Sequence, residues 1–235
     1  GEHLEELRKR LVYCLLATAL GFGVALWFLQ PIMDFLKLPL EGLASVQIVQ
    51  TRAYDAFMAS MKVAFFSGLL LAGPVVLQQT WAFVGAGLYR HERRAVKYYA
   101  VPGFLLFVAG AALAHGYVMP YALEFLVGWA ERQAGAQSLL NVNDYVSLVA
   151  FAMFVFGAMF QLPLVMVFLM RVGVVEPATF RRYRRHAIVA DLVAAMVLTP
   201  PDVLSQLILA GCLIVLYEGA ILVGARVARP RREAS

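Results

Sequence analysis

Long apolar stretches separated by short charged blocks run the length of the chain. Four of them, Leu11–Leu29, Val63–Leu88, Tyr98–Leu123 and Tyr145–Met170, reach the roughly 20 residues a helix needs to cross a hydrocarbon core of about 30 Å. A fifth, Ala187–Thr199, is interrupted only by Asp191 and is stopped by Pro200-Pro201-Asp202; a sixth, Val203–Ala225, carries only Glu218. Proline cannot continue a helix and restricts the residue before it, so these two read as helices joined by a very tight turn. At 1.5 Å per residue the fifth is roughly 20 Å long, well short of a bilayer. The pattern predicts an all-α polytopic membrane protein with six transmembrane helices over residues 11–29, 63–88, 98–123, 145–170, 187–199 and 203–225, the last two short, forming a single integral membrane domain over 1–235. The loops after the first and third spans are large enough for short extra helices, and Ala56–Phe66 is expected to extend the second span beyond the bilayer. Leu11–Leu29 has no small-residue cleavage site, so a removed signal peptide is not expected.

Composition agrees with the periodicity. The chain is 62% hydrophobic and only 15% charged, against about 45–50% and 25% in a soluble domain, which excludes a soluble enzyme. A net charge of +5 could suggest nucleic acid, but Lys and Arg fall in blocks between the spans rather than along one face, so no nucleic-acid partner is expected. The blocks are Arg8-Lys9-Arg10; Arg90, Arg93, Arg94 and Lys97; Arg181, Arg182, Arg184 and Arg185; and Arg226, Arg229, Arg231 and Arg232. Alternate loops are neutral to acidic. The positive-inside rule then puts both termini in the cytoplasm and the chain in a bacterial or archaeal cytoplasmic (inner) membrane. The two cysteines, Cys14 and Cys212, lie inside apolar stretches and read as free thiols filling small spaces.

Candidate chemistry is sparse. His91-Glu92-Arg93-Arg94 begins like a zinc-binding H-E-x-x-H helix, but Ala95 stands where the second histidine belongs. No nucleophile elbow, phosphate loop or Cys/His cluster is present, so no enzyme activity, metal or cofactor is expected. What remains is a set of acids and amides. Glu5–Lys9 and Glu6–Arg10 are spaced as i,i+4 pairs on an amphipathic turn with Leu4, Leu7 and Leu11 on one stripe. Glu92 either neutralises its basic loop or has a binding role. Gln161, two residues before Pro163, reads as an interhelical hydrogen-bonding group or a functional one, beside a proline kink and facing a concave cavity inside the bundle rather than lipid. Asp191 and Glu218 are intramembrane carboxylates that need a partner, a proton or water, or that snorkel to the nearer surface. His115 reads as a satisfied interfacial histidine. A proton- or ion-coupled small-solute carrier is the alternative these polar residues raise, but such carriers show repeats and broken helices around a midplane site, and neither pattern is clear here.

Four segments together resemble the TatC family, the multi-spanning subunit of the twin-arginine protein translocase: H-L-E-E-L-R-K-R at His3–Arg10, W-A-F-V-G-A-G-L-Y-R-H-E-R-R at Trp81–Arg94, F-G-A-M-F-Q-L-P at Phe156–Pro163 and L-T-P-P-D-V-L-S-Q at Leu198–Gln206. The resemblance implies a receptor for the twin-arginine signal peptides of folded export substrates, with Glu6 and Glu92 meeting the paired arginines, supported by Arg8, Arg10, Phe83 and Leu88. Carboxylates suit that task, because a guanidinium pairs with them through directed, often bidentate hydrogen bonds that lysine cannot reproduce. It also implies contact with single-span TatA-like and TatB-like subunits at Gln161, Pro163, Thr199, Asp202 and Gln206, with self-association left open. Many relatives carry Glu at the position of Gln161. Asp191 matches no motif of the family.

Overall fold

The computed structural model describes residues 2–40, 47–86, 99–134, 139–198 and 203–227. Helix α1 (Glu2–Trp27) is followed by the short α2 (Leu29–Lys37), a 3-10 turn (Leu38–Leu40), strand β1 (Gln47–Val49) and the 32-residue α3 (Asp55–Ala86). Helices α4 (Ala100–Leu113) and α5 (Met119–Ala134) are joined through a π turn over Ala114–Val118, and β2 (Leu139–Asn141) follows. Then come α6 (Val142–Met159), α7 (Leu162–Val172), α8 (Pro177–Arg182), α9 (Arg184–Leu198) and α10 (Val203–Val227).

Among the described residues, five helical stretches are long and apolar enough to cross a membrane: Glu5–Trp27, Asp55–Phe83, Ala100–Gln133, Val142–Val172 and Val203–Val227. Their outward faces stay apolar, with Leu20, Val101 and Val215 exposing 74%, 67% and 72% of their surface. In lipid such exposure carries no hydrophobic penalty. Helix α9, at 15 residues, is about 22 Å long and does not reach spanning length, as the sequence led one to expect of the fifth stretch. The expectation that the final helix is also short is corrected: α10 has 25 residues, about 37 Å, because no breaker interrupts the apolar run after Pro201. The start of α3 at Asp55 agrees with the expected outward extension over Ala56–Phe66.

Prolines explain the two interruptions. Pro120 has no N–H for the carbonyl of Gly116, and the helix widens so that Met119 N–H bonds to Ala114 O, five residues back. Pro163 breaks the fourth long stretch, where Gln161 N–H bonds to Ala158 O at 3.0 Å and Leu164 N–H to Gln161 O at 3.0 Å, a tight turn between α6 and α7. This is the kink the sequence predicts at that proline.

The purely helical expectation needs one amendment. β1 and β2 pair in parallel, with Gln47 opposite Leu139, Ile48 opposite Leu140 and Val49 opposite Asn141. The two loops they belong to meet at one end of the bundle, here called the strand end. There the Asp55 carboxylate accepts hydrogen bonds from Thr51 N–H (3.1 Å), Arg52 N–H (2.7 Å) and the Asn141 amide (2.6 Å). Asn141 also caps α6, its side-chain oxygen accepting Asn143 N–H at 2.8 Å. Beneath this cap α2 lays Ile32, Met33 and Leu36 on a core that includes Val63, Met119, Leu123 and Tyr145. Tyr145 donates its hydroxyl to Leu36 O at 2.6 Å, and His115 sits 3.0 Å from Phe35 O with its ring stacked on Phe35, a satisfied buried histidine.

Candidate functional site

At the end opposite the strands, the seam between α1 and α3 organises the polar residues. The two helices run antiparallel and cross where Gly21 meets Gly68. A Cβ on Gly68 would lie 2.5 Å from Phe22 N, so only glycine permits this approach. Arg10 lies eleven residues before Gly21, and Gln79 eleven after Gly68. Eleven residues is close to three helical turns, so both side chains return to the shared face. The Arg10 guanidinium donates to Gln79 Oε1 at 3.3 Å and to Glu6 Oε1 at 2.5 Å. Its Nε is buried and has no hydrogen-bond partner among the described residues. One turn beyond Gln79, the half-buried Phe83 follows on α3 in the register that sets it across from Glu6.

Of the residues assigned to one receptor site, Glu6, Arg10 and Phe83 thus share a seam. Arg8 does not. It projects from the other flank of α1, beside Glu5, Lys9, Val12 and Tyr13 in a shallow depression, because two residues along a helix turn the side chain by about 200°. Glu6–Arg10 forms as an ion pair, whereas Glu5 and Lys9 form none among the described residues. Glu92 and Leu88 lie outside the described residues. Gln79 was missed: the Gln78-Gln79 pair closing an apolar run was the available signal.

Gln161 points into the bundle, its amide donating to Gly103 O at 2.8 Å and Gly157 O at 3.4 Å. Its Oε1 is buried without a partner among the described residues, close to Gly103, Leu164 and the Trp81 indole. It does not line the half-open apolar cavity of about 320 Å³ that lies nearer the strand end between Phe35, Phe66, Phe107 and Phe154. Pro163 is buried in the first turn of α7. Gln206 donates to Leu192 O at 3.4 Å, tying α10 to α9, while Thr199 and Asp202 fall outside the described residues.

Glu218 pairs with Arg184 at 2.6 Å; both are roughly two-fifths exposed, so the pair joins α9 to α10 with little net stabilisation. Tyr217 supports the same corner by donating to Phe180 O at 2.8 Å. Asp191 is half-buried on α9 and makes no hydrogen bond or ion pair among the described residues. Among those residues no three His, Cys, Asp or Glu side chains gather as metal ligands.

Fold and site together define a multi-pass helical membrane protein whose polar features are receptor-like seams between helices. The model of the family described as "Sec-independent protein translocase protein (TatC)" matches residues 2–211, and the chain belongs to that family. Among relatives, the Sec-independent protein translocase protein TatC of Magnetococcus marinus is 37% identical over 234 residues, covering 99% of this chain and 86% of its own length. That of Aquifex aeolicus is 34% identical, with 99% and 97% covered, and that of Escherichia coli K12 is 36% identical, with 92% and 84% covered. A crystal structure of the twin arginine translocase receptor TatC superposes with a TM-score of 0.80 at 33% identity, covering 97% of this chain and all of that one. A second, in DDM, gives 0.82 at 34% identity, with 94% and 99% covered.

Proposed function

We propose that this translocase subunit is the receptor for twin-arginine signal peptides of folded export substrates, and a scaffold for single-span TatA-like and TatB-like subunits. In this reading it is a single integral domain that crosses the cytoplasmic membrane six times, α9 supplying the short fifth crossing, with both termini in the cytoplasm. The observation that carries it is the anchoring of Glu6: a carboxylate fixed on α1 against α3, directly before the segment that carries Glu92. Glu6 and Glu92 each receive one guanidinium of the signal, Phe83 and Leu88 flank them, and Arg10 borders the site, while Arg8 stands on the other flank of α1. Gln161, Pro163, Thr199, Asp202 and Gln206 contact the partner spans. The test is photocrosslinking from positions 6 and 92 to a signal peptide carrying Arg-Arg or Lys-Lys. Strong crosslinks to the first and weak ones to the second are expected, and equal crosslinking to both would refute the receptor reading.

A further inference from the structure

Arg10 already occupies the carboxylate that the incoming signal needs. Only one of its terminal nitrogens reaches Glu6, at 2.5 Å; the other reaches Gln79, at 3.3 Å, and its Nε is buried with no partner among the described residues. The guanidinium is therefore divided between two acceptors on two helices and leaves one donor unmet. A guanidinium arriving from solvent can present two parallel N–H groups to a carboxylate, an arrangement Arg10 does not make while it also holds Gln79. With Glu6 and Arg10 exposing 35% and 21% of their side chains, the pair is open enough to be exchanged.

We propose that Arg10 is an internal counterion that a signal arginine must displace, and that Gln79 is the positioning residue that retains Arg10 after the exchange. This rests on the receptor reading of Glu6. Binding is then a swap of one guanidinium for another, with Arg10 leaving Glu6 while keeping its contact to the Gln79 amide oxygen. The exchange adds one positive charge to the seam, because Arg10 stays on the neutral Gln79 amide while the signal guanidinium takes Glu6. The displacement is required of any ligand that takes Glu6, so it weakens Arg-Arg and Lys-Lys signals by the same factor. It thereby sets how strong a signal must be to bind, while discrimination stays with the geometry of the carboxylate.

The test uses the full chain in lipid nanodiscs and a fluorescent synthetic signal peptide bearing Arg-Arg, with its Lys-Lys counterpart. Arg10→Gln removes the counterion and is expected to tighten both peptides by roughly 1.5- to fivefold, the scale of a partly exposed ion pair, with their ratio unchanged. Arg10→Lys, which keeps the charge on α1, should tighten both to a smaller degree. Gln79→Ala should weaken both, because Arg10 freed from Gln79 can turn two N–H groups onto Glu6 and becomes harder to displace. A role for Arg10 in mere packing, or as a direct ligand of the signal, predicts the opposite sign. Weaker binding in Arg10→Gln and Arg10→Lys, with melting temperatures unchanged, would overturn the exchange. Glu6→Gln separates the two ideas: if it leaves Arg-Arg binding intact the receptor reading itself fails, whereas if it weakens binding while the Arg10 variants also weaken it, only the exchange fails.

Discussion

Substituting Gly68 with alanine tests how the α1–α3 seam is built. The added Cβ would stand 2.5 Å from Phe22 N and 2.7 Å from Phe22 Cα, both backbone atoms that cannot rotate away. Carbon atoms settle near 3.5–4.0 Å from their neighbours, so α1 has to retreat by about 1 Å. The 3.3 Å contact between Arg10 and Gln79 would then pass out of hydrogen-bonding range, three turns from the substitution. Overpacking of this kind costs about 1–3 kcal/mol, and α1 has little else to lean on, since α3 is its main neighbour. Gly23→Ala is the control: nothing lies within 4 Å of its Cβ position, so alanine there should be neutral or stabilising by up to about 1 kcal/mol through helix propensity. Thermal unfolding of both variants in detergent gives the readout, with signal-peptide crosslinking from position 6 as the functional arm. Gly68→Ala melting with the wild type, or Gly23→Ala losing as much as Gly68→Ala, would refute the close-contact account.

Asp55→Ala should lower the melting temperature and expose the β1–β2 cap to protease, because two backbone N–H groups and the Asn141 amide lose their shared acceptor; an unchanged cleavage pattern would count against it. Tyr145→Phe removes the hydroxyl that holds Leu36 O at 2.6 Å and should cost about 1 kcal/mol in a melt, with faster hydrogen exchange confined to α2. In the α10 register, Ser205 donates to Val118 O and Gln206 to Leu192 O, while α5 continues 16 residues past Val118, about 24 Å. A spin label on Gln206→Cys, in a Cys14→Ala, Cys212→Ala background, should therefore read deeper in the bilayer than one on Arg52→Cys. Equal depths would refute the depth difference drawn from this register.

Most of the membrane frame was legible because a helix that must satisfy its backbone in lipid announces itself by twenty uninterrupted apolar residues. What was not legible lies outside the lipid. The apolar run of the third stretch stops at Leu123, where Glu124 follows, yet α5 runs on to Ala134, since an amphipathic helix continues past the bilayer once its buried face still has a core to meet. The strands escaped for another reason: three residues carry no readable alternation, and their pairing joins segments about ninety residues apart through the shared Asp55–Asn141 contact. The length of α10 was misjudged by treating it as a twin of α9, although only α9 is bounded by a basic block before it and prolines after it.

The receptor seam shows the same limit at the level of single residues. Sequence segments identify Glu6 and Arg10, and their i,i+4 spacing offers the pair, but nothing local says whether Arg10 serves α1 alone or something across the membrane interior. That answer depends on the Gly21–Gly68 crossing, which fixes an antiparallel register and so brings Gln79 to Arg10 from 69 residues away. The same register separates Arg8 from the site, although it stands two residues from each of its supposed companions. A motif therefore reports which side chains a site requires, while the helix crossing decides which of them can meet. Here two glycines without any polar group govern whether a carboxylate and its counterion are held together, so substitutions at the crossing should alter signal binding as surely as substitutions at Glu6.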